Sequence, residues 1–502
     1  MTDKVAIRRL ETGVPGLDEV LGGGLPEFSF NLIAGAPGSG KTTLAHQIMF
    51  ALANPKRRAL FFTVLGEPAL KMLRYQQQFS FFDGSRINQS IRFVNLVDEA
   101  LKGDLRRVLA RIVEEVAAYS PALVFVDSFR SVMHLTQHTP EPASDLQQFV
   151  QELGIQLTSW QATTFLVGEY LVEGDANPVF TVADGLLWLR QATQRNSMVR
   201  QIQVVKMRGQ ATRPGLHTFR ITGAGIEIFP PAHIEGESMS EAAPAARPRT
   251  ADARLPMGVP KLDKMLGGGL PTGYSLLVAG PSGSGKTILA TAFLAEGVRR
   301  GEAGIIVAFE QTPSRSRTRT IDDLVRAGKI GLINSRSLDL SIDEIVHELT
   351  NMIRRMNAKR VVIDSLSGFE LAIAPTFRED FRESLFRMVA VLSGMGVTVL
   401  LTSELEDRYT DLRFSPNGAA FLTDAIIVQR YIELQGQLKR LLGVVKVRGS
   451  THSSELCEFE ITDEGIVIGD SLVEYEGLLG GSPTKVVVDP KRPSHQSGVH
   501  AR

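Results

Sequence analysis

The sequence predicts an α/β protein built twice, as two tandem domains that are each a mostly parallel sheet flanked by helices. Three observations carry this. The segment from Gly13 to Ala45 repeats from Gly258 to Ala290 with about two-thirds of positions identical, so the chain is an internal duplication. In each half, short runs of Val, Ile, Leu and Phe without polar alternation are separated by glycine loops and helical stretches, the pattern of parallel strands covered on both faces. Between the halves lies a stretch of Ala, Pro, Ser and charged residues with almost no large apolar side chains, which cannot bury enough surface to order itself.

These features divide the chain into a first domain over 1–230, a linker over 231–254, a second domain over 255–480 and a polar tail over 481–502. At 502 residues there is room for two domains that each bury a substantial core. One cysteine, Cys457, excludes an internal disulfide framework and suits a reducing compartment. The opening MTDKVAIRRL lacks the apolar centre of a signal peptide, and the expected location is cytoplasmic. The longest apolar run, Met388 to Ser403, contains Gly394 and Gly396 and reads as a helix end turning into a strand, so no membrane span is expected. Lys and Arg balance Asp and Glu at 55 each, which argues against nucleic acid gathered by a global basic field.

In the first half the expected parallel strands are Phe30–Ala34, Ala59–Val64, Leu123–Val126, Thr164–Val167 and Gly185–Leu189. In the second they are Ser275–Ala279, Gly304–Phe309, Arg360–Ile363, Thr398–Leu401 and Ala425–Gln429. Each half closes with alternating segments, Gln201–Met207 with His217–Thr222 and Leu442–Val447 with Cys457–Thr462, which read as antiparallel.

The first strand of each half runs into G-x-x-x-x-G-K-T. The loops are Gly35-Ala36-Pro37-Gly38-Ser39-Gly40-Lys41-Thr42, followed by Thr43, and Gly280-Pro281-Ser282-Gly283-Ser284-Gly285-Lys286-Thr287. A triphosphate needs backbone N–H groups turned inward around it, which glycine-rich turns allow, and a following helix whose N-terminus favours anions. Lys41 and Lys286 are expected on the β- and γ-phosphates of ATP, with Thr42 and Thr287 on Mg²⁺.

About 80 residues later in each half an apolar strand ends in Asp, giving Asp127 and Asp364 as further Mg²⁺ candidates. The strand after the loop helix separates the halves. VAFEQTP places Glu310 where a base polarises the attacking water, whereas FTVLGEP, aligned on its proline, sets Leu65 opposite Glu310 and Gly66 opposite Gln311. Leu65 cannot accept a proton; Glu67, two positions on, is the weaker candidate. Finally, Lys206-Met207-Arg208 and Lys446-Val447-Arg448 set two cations on one face of a strand, a geometry suited to a γ-phosphate contacted from a neighbouring subunit.

The order G-V-P-x-L-D-x-x-L-G-G-G-L, P-loop, strand-end Glu, Asp-Ser, then K-x-R-G resembles the KaiC and KaiC-like family, a double-domain branch of the RecA/DnaB ATPases named for the circadian clock. The likeness extends through Phe421–Ser450 and Gly481–Asp489. It implies two tandem RecA-like P-loop NTPase domains, a homohexamer of two stacked rings with ATP between subunits, slow ATP hydrolysis in both rings, and Ser/Thr autophosphorylation in the second. The departures are specific. The family's Glu-Glu pair after each P-loop is Leu65-Gly66 in the first half and Glu310-Gln311 in the second, and its adjacent Ser-Thr acceptors are replaced by Ala420-Phe421, leaving Ser415 as the alternative hydroxyl.

The expected function is therefore an ATP-hydrolysing ring whose nucleotide state switches its surface for a signalling partner, with hydrolysis mainly in the second domain. An autokinase is one alternative, and a nucleotide-gated scaffold another. A DNA-dependent recombinase or helicase motor would need basic loops lining a channel; the segment Arg315-Ser316-Arg317-Thr318-Arg319 is the candidate and reads first as a solvated face.

Overall fold

The computed structural model describes residues 7–64, 69–101, 105–129, 142–171, 178–194, 197–232, 253–309, 319–334, 340–379, 381–405, 422–480 and 483–485. The chain divides into two compact units, Met1–Pro231 and Ala232–Arg502, and the same nine-stranded sheet recurs in each.

In the first unit the elements that position the site are β1 (Phe30–Gly35), α1 (Lys41–Leu52), β2 (Ala59–Thr63), β3 (Ile91–Asn95), α2 (Leu105–Tyr119), β4 (Leu123–Asp127), α3 (Pro142–Ser159), β5 (Thr163–Glu169), β6 (Gly185–Gln194), β7 (Ser197–Met207), β8 (His217–Thr222) and β9 (Gly225–Phe229). Across the sheet they run β9-β8-β7-β6-β1-β5-β4-β2-β3. From β6 to β3 neighbours are parallel, and β6 to β9 form an antiparallel flap.

The second unit repeats this with β10 (Ser275–Gly280), α4 (Lys286–Arg299), β11 (Gly304–Ala308), β12 (Ile330–Asn334), α5 (Ile342–Met356), β13 (Arg360–Asp364), α6 (Phe381–Gly394), β14 (Thr398–Glu404), β15 (Ala425–Leu434), β16 (Gln437–Val447), β17 (Leu456–Thr462) and β18 (Gly465–Ser471). Its order, β12-β11-β13-β14-β10-β15-β16-β17-β18, is the same arrangement read from the other edge. The register shift after Leu186 in β6 recurs after Ile426 in β15.

The apolar runs form central strands because alternate side chains enter two cores. In β1 and β2, Ile33 and Phe61 face the layer with Leu44 and Ile48 of α1, while Leu32, Leu60 and Phe62 face Val108 and Ile112 of α2 and Phe149 of α3. Helix α5 shows how the flanking helices are specified. Ser341 accepts from the Glu344 N–H at 3.1 Å, Asn357 closes the helix at φ 50°, and Ile342, Ile345, Leu349 and Ile353 line its buried stripe.

Every expected strand is present, and α6 does turn into β14 as read from Met388–Ser403. The sequence reading omitted β3, β9, β12 and β18. All four lie at the sheet edges, where one side faces solvent and polar residues interrupt the apolar run, as in Ile91-Arg92-Phe93-Val94-Asn95. The start of the expected tail is tied down as well: Thr484–Lys485 pairs antiparallel with Tyr475–Glu476. Most of the expected linker, 233–252, lies outside the described residues.

One buried group distinguishes the units. His46 of α1 is fully buried and stacks on Phe61 at 4.6 Å, at the end of a row in which Phe61, Phe125 and Phe165 stack across β2, β4 and β5. Burial holds its imidazole down at about 3. Counting from the loop lysines, the second unit has Thr291 there, bonded to the Thr287 carbonyl at 2.8 Å. An unfolded histidine takes up a proton below its ordinary value of 6.5, whereas the folded one does not until about 3, so stability falls as pH drops through 6.5. The first unit is expected to lose about 1.4 kcal/mol per pH unit below that point from this group. Hydrogen exchange of the two units between pH 7 and about pH 5 checks it: His46→Leu should flatten the first unit's loss and leave the second unit unchanged.

Candidate active site

The two glycine loops have the same local geometry. Gly40 and Gly285 cap α1 and α4 in the left-handed region, at φ 103° and 102°. A Cβ would come within 2.9 Å of the Ile221 side chain in the first unit and 3.0 Å of Ile461 in the second, so the turn requires glycine on both conformational and steric grounds. Each loop thereby presents backbone N–H groups and a helix N-terminus on one side.

The lysines fold over their own loops. Lys41 donates to the Ala36 carbonyl at 2.8 Å, and Lys286 to those of Gly280 and Pro281 at 2.9 and 2.7 Å. Burial lowers both ammonium pKa values, and nearby carboxylates oppose that shift. The loops thus hold desolvated cations on weak neutral acceptors, which a phosphate oxygen replaces with a stronger, charged partner.

The strand-end aspartates lie against the loop threonines. Thr42 donates to Asp127 at 2.7 Å and Thr287 to Asp364 at 2.8 Å, and Thr402 of β14 donates to the other carboxylate oxygen of Asp364. Burial pushes Asp127 up to about 6, with the Thr42 hydrogen bond and Lys41 acting against it. Both units also have a cis peptide after this aspartate, Asp127-Ser128 and Asp364-Ser365. A hydroxyl and one carboxylate form a hard oxygen pair that fits Mg²⁺, an ion that keeps waters and takes phosphate oxygens. Among the described residues no group of three or more His, Cys, Asp or Glu forms a cage for another metal.

The first site opens into a cavity of about 260 Å³ lined by Gly38, Gly40, Lys41, Thr42, Asp127 and Glu169, among others. Glu169 was absent from the sequence reading. It ends β5 directly beside Gly35, and Glu404 ends β14 directly beside Gly280. The available signal was a carboxylate closing the strand after the aspartate strand in both halves, as TTFLVGE and TVLLTSE. Glu310, Gln311, Leu65, Gly66, Glu67, Ser415, Ala420 and Phe421 lie outside the described residues, as do Arg315 to Thr318.

The K-x-R pairs stand elsewhere. Lys206 and Arg208 converge on the Thr181 carbonyl, at 3.1 and 3.4 Å, so they share a face. Burial and then the neighbouring Arg208 charge lower the Lys206 pKa; Lys446 responds in the same way to burial and Arg448. Met207 pairs with Gly185, and Gly185 with Asn31, which places this face at the amino end of β1. The phosphate loop leaves from the carboxyl end of that strand, about 16 Å away at strand rise. Asp184 fixes the arginine there: its carboxylate accepts from Arg208 at 3.2 Å and from the Phe30 N–H at 3.0 Å. In the second unit Asp424 accepts from the Ser275 N–H at 3.1 Å and lies 3.9 Å from Arg448.

No helix among the described residues is long and apolar enough to cross a membrane. With this geometry in view, comparison with known proteins gives one family. The model described as "ATPase: KaiC" matches residues 10–233 and again 255–473. The circadian clock oscillator protein KaiC of Picosynechococcus is 27% identical over 498 residues, covering 97% of this chain and 94% of that one. The circadian clock protein KaiC3 of Synechocystis is 28% identical over 496 residues, covering 95% of each chain. KaiC 1 of the same organism is 27% identical over 503 residues. Two matched repeats spanning most of the chain, on two RecA-like sheets with paired phosphate loops, establish that this chain belongs to the KaiC ATPase family.

Proposed function

We propose that the chain assembles into a ring in which ATP lies between neighbouring copies, that hydrolysis occurs mainly in the second unit, and that the nucleotide state sets the surface offered to a protein partner. The observation that carries this is the separation of Lys446 and Arg448 from their own phosphate loop. They stand toward the amino end of β10, whereas the loop carrying Lys286 leaves its carboxyl end, so in this reading the phosphate they contact belongs to another copy.

In this reading Lys286 binds the β- and γ-phosphates, and Thr287 with Asp364 holds Mg²⁺, which neutralises phosphate charge when bound. Glu310 orients the attacking water. Lys446 and Arg448 offset charge on the transferred phosphoryl group from next door. In the first unit Lys41, Thr42, Asp127, Lys206 and Arg208 hold the matching places, and Glu169 and Glu67 are its remaining acidic candidates. The loop backbones, Gly35 to Thr43 and Gly280 to Thr287, cradle the phosphates. Ala420 and Phe421 carry no hydroxyl where the resembled family has Ser-Thr, which favours water over a protein hydroxyl as acceptor.

The test is the solution mass of the purified chain with saturating ATP and Mg²⁺, measured beside its turnover. An oligomer several times the 54.9 kDa chain that releases phosphate is expected. A monomer that hydrolyses ATP removes the shared site. Radiolabel from γ-labelled ATP retained on the protein would establish the kinase reading instead.

A further inference from the structure

We propose that Glu169 is the catalytic carboxylate of the first phosphate site, orienting the attacking water and taking its proton in place of the glutamate that Glu310 supplies in the second. This rests on the reading of the first loop as an ATP site.

Placement is the main argument. Glu169 lines the same cavity as Lys41, Thr42 and Asp127. Its strand is held at the root of the loop: Glu169 is the register partner of Gly35, and the next residue, Tyr170, donates its N–H to the Gly35 carbonyl at 3.2 Å. A side chain leaving the end of β5 therefore emerges beside the first loop glycine, on the side where the helix N-terminus and Lys41 meet the ligand.

The division of labour among carboxylates follows. Among the described residues that line the cavity, Asp127 and Glu169 are the two acids. Asp127 is engaged with Thr42 at 2.7 Å, on the metal side. In the second unit Glu404 occupies the same register position beside Gly280, and the following Leu405 donates to the Gly280 carbonyl at 3.1 Å. There Glu310 supplies an additional acid, whereas the first unit has Leu65 at the aligned place. By sequence alignment the second half thus carries both of these acids and the first carries one.

The step is hydrolysis. The water oxygen bonds to the γ-phosphorus as the bond from that phosphorus to the bridging oxygen breaks, and the electron pair leaves with ADP. The water proton passes to the Glu169 carboxylate and from there to the released phosphate.

The experiment uses the full chain carrying Lys286→Ala, so that residual turnover comes from the first site, and follows phosphate release together with affinity for a non-hydrolysable ATP analogue. Adding Glu169→Gln, an isosteric change, is expected to lower residual turnover about 100-fold or more while analogue affinity stays within about twofold. Glu169→Asp should keep part of the rate. Residual turnover that survives Glu169→Gln overturns the proposal, as does a loss that tracks Glu67→Gln instead. A first site that binds the analogue but shows no turnover overturns it too, making that ring a nucleotide gate. Loss of analogue binding in the Lys286→Ala parent would count separately, against the ATP-site reading itself.

Discussion

Arg448→Ala is expected to slow ATP turnover by about 10³–10⁵-fold while leaving nucleotide bound, because the guanidinium stabilises charge that develops only as the phosphoryl group transfers. That range corresponds to about 4–7 kcal/mol of the barrier. The size follows from where the residue stands. Arg448 lies at the amino end of β10, the opposite end of the strand from Gly280 and the loop that carries Lys286, and Asp424 ties it to the start of that strand through the Ser275 N–H. It therefore contributes nothing to its own loop's grip on phosphate, and binding should survive. Mixing separates this from a remote structural effect. Copies carrying Arg448→Ala and copies carrying Lys286→Ala are each expected to be inactive at the second site. A ring formed from both has about a quarter of its interfaces with an intact loop from one copy and an intact arginine from the next. Recovered turnover in the mixture supports the shared site, and a mixture as inactive as its components places the arginine's effect within one copy.

The parallel core of each unit was legible because burial on both faces leaves little choice of residue: runs such as Phe30–Gly35 and Ala59–Thr63 are wholly buried and read as predominantly apolar segments. The phosphate loops were legible for a similar reason, since left-handed backbone at Gly40 and Gly285 writes glycine into the sequence. Edge strands β3, β9, β12 and β18 face solvent on one side, so polar residues such as Arg92 and Glu227 interrupt the pattern and the signal fades. Glu169 and Glu404 escaped for a different reason. A single acid at a strand end says nothing about the ligand until the register places it beside a loop glycine, and register is a property of the pairing and not of either strand alone. The same holds for Asp184 and Asp424, whose role shows only in their contacts to Phe30 with Arg208 and to Ser275 with Arg448.

Glu310→Gln is the second large effect, with turnover of the whole chain expected to fall by about 10²–10⁴-fold and ATP binding retained. The amide keeps the shape of the side chain and can still hydrogen-bond a water, but it does not take the proton as the oxygen attacks phosphorus. Lys286, Thr287 and Asp364 remain in place to hold the nucleotide, so the loss should appear in kcat and leave affinity for ATP close to that of the parent. The contrast with the first unit gives the prediction its direction. Leu65 aligns with Glu310 in the sequence, so if most turnover came from the first unit the substitution would change little. Phosphate release measured for Glu310→Gln and for Lys286→Ala decides between these. Equal, large losses in both variants locate hydrolysis in the second unit, because one removes the base and the other the phosphate grip of the same site. If both variants turn over ATP like the parent, the assignment of the rings is reversed, and the strand-end acid at Glu169 becomes the principal base of the whole assembly.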